Sequence, residues 1–241
     1  MKKFIAILLL IPGLLLQAQT QNEITKLESL FDQLEANDLA MGSISIFSNG
    51  DGVYSRSIGY VDLENKIPAN SNTAYRIGSI TKTFTAVVMM QLMEEGKLKP
   101  ETKLAEYFPK VPNSDKITIE QLLRHQSGLF NITDEENFRE WMVNPQPRTA
   151  MLKRIIKNGS IFIPGEKTEY SNTNYLLLSY IAEDIEGKSY AEIVKQRIND
   201  KLDLKHTFFG GKIVPEENQA RSYSHTDAGW EVTPETEMSG P

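Results

Sequence analysis

The stretch "YRIGSITKTFTAVVMMQL" (Tyr75 to Leu92) decides how the rest of the chain is read. Ser79 stands three residues before Lys82, behind a glycine and ahead of a run rich in Val and Met. In a chain of 241 residues with 17 serines and 18 lysines, chance alone produces about one such pair, and the chain has one. The pair by itself therefore reads first as a helix cap beside a solvated lysine. The residues behind it shift that balance. From Ser79 to Glu95 the apolar spacing is helical, and Ala86, Val87, Val88, Met89, Met90, Leu92 and Met93 leave little polar surface. Such a helix is expected to be buried on most sides, with Gly96 as its stop and Pro100 beyond.

On a helix, positions i and i+3 share a face, so the Lys82 amine can approach the Ser79 hydroxyl. The first-turn N–H groups lack intrahelical partners and are available to an oxyanion. A desolvated lysine can surrender its proton near neutral pH, as a general base must. Gly78 lets the backbone approach a ligand. There is no G-x-S-x-G elbow and no cysteine, which leaves a lysine-assisted serine among the hydrolase designs.

Outward from this centre the chain divides into a hairpin and a long helical region. Ile24, Leu27, Leu30, Phe31 and Leu34 predict an amphipathic helix over Asn22 to Asp38. "GSISIFS" (Gly42 to Ser48) and "VYSRSIGYVD" (Val53 to Asp62) alternate as two strands around the turn residues "NGDG". Thr118 and Gln121 form a capping-box pattern over "ITIEQLLRH" (Ile117 to His125). Asn172 or Thr173 opens a helix that Gly187 ends, and "SYAEIVKQRINDKL" (Ser189 to Leu202) predicts another. After "HTFFGG" the sequence is polar and turn-rich, with no strand expected before "EMSGP".

"MKK" followed by thirteen apolar residues (Phe4 to Leu16), with Ala18 as the small residue, has the layout of a secretory signal peptide over residues 1–18. The apolar run is shorter than the roughly 20 residues of a membrane span, so no stable anchor is expected after cleavage. Without Lys2 and Lys3 the formal charge moves from −6 to −8, which disfavours nucleic acid as a partner. His125, His206 and His225 are scattered and no cysteine is present, so no metal or cofactor is expected.

These residues resemble the β-lactamase-related serine hydrolases, in the branch of class C β-lactamases, penicillin-binding D-Ala-D-Ala peptidases and related esterases. "YRIGSITKTFTA" looks like that family's nucleophile helix, and His125, Ser127, Gly128 and Leu129 match its H-x-S-G-L signature. Tyr170-Ser171-Asn172 matches its Tyr-x-Asn motif, and "DKLDLKHTFF" resembles the segment after it. The resemblance implies an α/β (α+β) fold, with an antiparallel sheet flanked by helices and a mostly helical region. Its domain would occupy residues 19–241, with the C-terminal strands missing. It implies that Ser79 becomes acylated by an amide or ester, that Lys82 and Tyr170 carry the proton, and that Asn172 holds Lys82 and contacts a substrate amide. The substrate would be a small molecule or peptide (a β-lactam, a D-alanyl peptide or an ester), met in the periplasm or outside the cell.

Taken singly, Tyr170 reads as a half-buried loop tyrosine, Asn172 as an N-cap, His125 as a helix-end histidine and Ser127-Gly128 as a turn. Their order and spacing carry the functional reading. The family's third motif, a Lys-Thr-Gly or His-x-Gly strand, has no counterpart in order. The Lys167-Thr168 pair precedes Tyr170 and is followed by Glu169. A truncated product, catalytically impaired, or a non-catalytic binder of peptidoglycan or peptide is the alternative expectation.

Overall fold

The computed structural model describes residues 10–234, with side chains from residue 21 onward. Met1–Leu9, the first half of the expected signal peptide, lie outside the described residues. The chain forms two compact units, one from the residues up to Tyr75 with Ile213–Thr233, the other from Arg76–Lys212.

In the first unit, helix α1 (Leu10–Ala36) is longer than its amphipathic stretch. Ile24, Leu27, Phe31 and Leu34 are half-buried as their spacing predicts, whereas Leu30 is exposed. Strands β1 (Gly42–Ser48) and β2 (Asp51–Ile58) pair antiparallel, Ser48 opposite Asp51. Asn49 and Gly50 both take positive φ, as a two-residue hairpin turn matched to strand twist requires. Arg56 of β2 reaches back to Glu28 and Asp32 of α1 at 2.5 and 2.7 Å. The expected long return strand is broken at Gly59. β3 (Tyr60–Asp62) then pairs with β4 (Ile67–Pro68).

A second difference lies near the end of the unit. β5 (Tyr223–Thr226) and β6 (Gly229–Val232) form an antiparallel hairpin where no strand was expected. Its stability is not in its apolar pattern. Trp230 packs edge-on against His225, Tyr223 Oη accepts the Leu63 N–H at 2.8 Å, and Trp230 Nε1 donates to Asp38.

The second unit opens with a 3-10 turn (Gly78–Ile80) that runs into α2 (Thr81–Glu94). α3 (Ile119–Leu123), α4 (Phe138–Trp141), α5 (Arg148–Asn158), α6 (Asn172–Glu186), α7 (Tyr190–Val194) and α8 (Asp200–Leu202) follow, with a π-helical turn at Lys195–Asn199. The Thr118/Gln121 capping box forms as predicted, with bonds of 3.2 and 3.0 Å. α2 corrects the sequence reading. Only Thr85, Val88, Met89 and Leu92 are buried, at i, i+3, i+4 and i+7, while Val87 and Met90 are 41% and 58% exposed. Within this unit α2 offers one stripe to the helical core. The helix buried all round is α6, in which every residue from Thr173 to Ala182 is buried.

Candidate active site

Gly78 has φ +51, and a Cβ there would meet nothing within 4 Å, so the backbone conformation rather than space calls for glycine. That left-handed residue turns the chain into the 3-10 turn carrying Ser79. Ser79 lies in that turn and Lys82 in the first turn of α2, three residues on and on the same face. Lys82 Nζ lies 3.2 Å from Ser79 Oγ.

Tyr170 and Asn172 come from the entry to α6. Tyr170 Oη lies 2.8 Å from Ser79 Oγ, and the Lys82 ammonium sits 5.1 Å from the centre of the Tyr170 ring. Asn172 Oδ1 accepts from Lys82 at 2.8 Å. Ser79 is exposed, Lys82 half-buried, and Tyr170 49% exposed, so the hydroxyl is open to a ligand while its neighbours are held. Burial works against ionisation of Tyr170. The hydrogen bonds to Lys82 and Ser79, together with the Lys82 charge, outweigh it and bring the phenol below its ordinary value of 10. All four residues singled out by sequence thus meet within one unit. A serine hydroxyl in contact with a polarised phenol and an amine is equipped to deliver an alkoxide and store its proton nearby.

A family model described as Beta-lactamase matches residues 27–240. The chain belongs to the β-lactamase family. It is 31% identical over 198 residues to the teichoic acid D-alanine hydrolase of Staphylococcus aureus, covering 82% of this chain and 48% of that protein. The crystal structure of FmtA from Staphylococcus aureus superposes with a TM-score of 0.72 at 30% identity, over 88% of this chain and 60% of that one. The D-amino acid amidase from Ochrobactrum anthropi SV3, complexed with L-phenylalanine amide, gives 0.73 at 26% identity, over 91% and 62%. The chain spans about half the length of the curated relatives it matches. The mixed architecture of short antiparallel sheets and helices is that of these β-lactamase-fold structures.

Within this β-lactamase-family chain, the H-x-S-G-L segment supports the site from behind. His125 has φ +55 and lies between the rings of Tyr170 and Tyr175, at 4.5 and 5.1 Å. Its Nδ1 accepts the Ser171 N–H at 3.2 Å, so the segment is tied to the residue between Tyr170 and Asn172. Burial, then the nearby Lys82 charge, push His125 below its usual 6.5. Ser127 Oγ bonds Asn174 at 2.5 Å, and Gly128, at φ +74, faces the Phe162 carbonyl so closely that any Cβ would collide. The turn expected at Ser127-Gly128 is therefore also a packing site.

Sequence reasoning missed Asn131 and Thr133. Asn172 Nδ2 donates to Asn131 Oδ1 at 3.2 Å and to Thr133 Oγ1 at 3.0 Å, and the Asn172 N–H donates to Asn131 Oδ1 at 2.9 Å. Asn131 supplies from a distant loop the cap that Ser171, the residue at the helix start, does not. The only sequence signal was their position two and four residues after Leu129, in a loop of no regular pattern. Among the described residues no three His, Asp or Glu side chains are grouped to hold a metal, and no helix is long and apolar enough to cross a membrane.

Proposed function

We propose that this chain carries the acylation centre of an exported serine hydrolase, with residues 1–18 as the leader and 19–241 as the hydrolase domain. Ser79 is the nucleophile, Tyr170 its proton acceptor, and Lys82 the cation that favours the phenolate. The observation that carries this reading is the contact of Ser79 Oγ with both Tyr170 Oη (2.8 Å) and Lys82 Nζ (3.2 Å).

In the first step Ser79 Oγ bonds to the carbonyl carbon of an ester or amide as its proton passes to Tyr170. The Ser79 N–H, at the N-terminal end of its helix, donates to the resulting oxyanion in this reading. The leaving group takes the proton from Tyr170 as its bond to carbon breaks, and water then reverses the sequence to free Ser79. The substrate class is a β-lactam, a D-alanyl peptide or a D-alanyl ester. A teichoic acid D-alanine hydrolase and a D-amino acid amidase among the relatives support an acyl group of D configuration. The basic start and apolar run support action outside the cytoplasm.

The test is covalent labelling. A fluorescent fluorophosphonate or penicillin should attach to Ser79 of the full chain, located by peptide mass, and Ser79→Ala should stay unlabelled. Saturable binding of a peptidoglycan fragment that survives Ser79→Ala, with no adduct, would instead make the chain a non-catalytic binder.

A further inference from the structure

We propose that Asn131, oriented by Asp134 and assisted by Thr133, is a positioning residue that sets the sense of the Asn172 amide and thereby holds Lys82 against Ser79 and Tyr170. This rests on the acylation reading above and goes beyond it, because none of these three residues touches the reacting atoms.

A carboxylate accepts and an ammonium donates, whereas a side-chain amide can do either, depending on which way it is turned. Asn131 Nδ2 donates to Asp134 Oδ1 at 2.9 Å, which turns Asn131 Oδ1 the other way. That oxygen meets the Asn172 backbone N–H, a group that can only donate, at 2.9 Å. It also takes one Asn172 Nδ2 hydrogen at 3.2 Å, and Thr133 Oγ1 takes the other at 3.0 Å. With both amide hydrogens engaged, Asn172 presents only Oδ1 to Lys82, which donates at 2.8 Å. Turning Asn172 over would set its NH₂ against the ammonium and its oxygen against that of Asn131. Both ends of the path thus fix the sense of the two amides between them.

The loop that carries this path is anchored on two sides. Ile132 N–H donates to Thr173 Oγ1 at 3.1 Å, and Thr173 Oγ1 donates to the Phe130 carbonyl at 2.6 Å, so the loop is stitched to the first turn of α6. Beyond it, Glu135 accepts from Trp141 Nε1, Arg154 and Asn158 at 3.0, 2.7 and 2.5 Å. A loop held this way transmits the position of Asp134 to Asn172 with little slack.

The experiment compares the full chain with Asn131→Ala, Thr133→Val and Thr133→Ser. Tyr170 is titrated by ultraviolet difference against Tyr170→Phe, a readout that needs no turnover, and hydrolysis of a chromogenic D-alanyl ester gives kcat and KM. Asn131→Ala should move the Tyr170 ionisation up toward an ordinary phenol. It should lower kcat about 10²-fold, the scale of a small misplacement of a reacting group, with KM little changed. Thr133→Val should act in the same direction, and Thr133→Ser, which keeps the acceptor, should restore both. An unmoved Tyr170 ionisation in Asn131→Ala overturns the proposal, as does a Thr133→Ser variant as impaired as Thr133→Val. If Asn131→Ala fails to fold, the two Thr133 variants decide alone. If the unaltered chain does not acylate, the functional reading falls, while the titration still decides the positioning.

Discussion

Two groups lie within reach of the Ser79 proton, and the shorter contact belongs to the phenol rather than the amine. Tyr170 Oη is at 2.8 Å and Lys82 Nζ at 3.2 Å. Lys82 also spends a hydrogen bond on Asn172. Tyr170→Phe keeps the ring against His125 but removes the acceptor, so it should slow acylation by about 10²–10⁴, the usual worth of a positioned base. Stopped-flow labelling of Ser79 with an intact melting curve checks this, and an unchanged rate would hand the role to Lys82. His125 makes a separate, pH-dependent contribution. Its Nδ1 already accepts the Ser171 N–H, so protonation there breaks a bond. Because its folded pKa is lowered, its stabilisation is complete above the unfolded value of about 6.5 and is lost as pH falls through the folded one. Thermal midpoints should therefore decline on acidification below about pH 6.5. His125→Phe, which keeps the stack and loses the titration, should flatten that slope. Equal slopes in the two proteins would remove His125 from the account.

α2, α6 and α7 show what the sequence reveals of an element and what it conceals. Caps are local, so Thr118/Gln121 was readable in advance, and Gly96 and Gly187 do terminate their helices, the latter with left-handed φ 63. The four residues at the site were readable because their types and order are unusual. The direction in which α2 buries itself was not, since an apolar residue looks the same whether it meets a core or stands exposed, as Met90 does. The π-helical turn after α7 was equally hidden. It places Arg197 between Glu95 and Glu186, at 2.7 and 2.8 Å, a constraint spanning about a hundred residues of sequence. The Asn131 path was illegible for the same reason, being a meeting of a loop and a helix end. One polar contact between elements offers a clean measurement. Thr85 Oγ1 of α2 and Tyr190 Oη of α7 are both buried and 2.7 Å apart. Thr85→Val keeps the shape and leaves the Tyr190 hydroxyl unpaired, which should cost about 1–3 kcal/mol in urea unfolding. A loss below about 0.5 kcal/mol would mean that the hydroxyl finds another partner.

For the whole molecule, the two units differ in how much apolar surface holds each together. Unit two has one continuous cluster drawn from α2 to the π-helical turn, including Met89, Leu92, Ile119, Leu177, Leu178 and Ile181, each fully inaccessible. Among the described residues of unit one, the buried apolar side chains are Tyr54, Ile58, Val61, Pro215 and Ala220. Its strands come in three separate pairs, and an isolated pair is marginal in water. Local stability follows buried contacts and protected backbone bonds, so the units should open at different free energies. Hydrogen exchange followed by mass spectrometry tests this directly on the full chain at neutral pH. Peptides from α6 should exchange last, at the rate of global unfolding. Peptides from β1 and β2 should exchange well before them, with β5–β6 faster still, since its residues are nowhere fully buried. Ser79 would then stand on the slow-opening unit, where Tyr170, Asn172 and Asn131 all reside. Matching protection across the hairpins and α6 would show instead that the chain unfolds as one cooperative body, and that buried area within each unit does not set its stability.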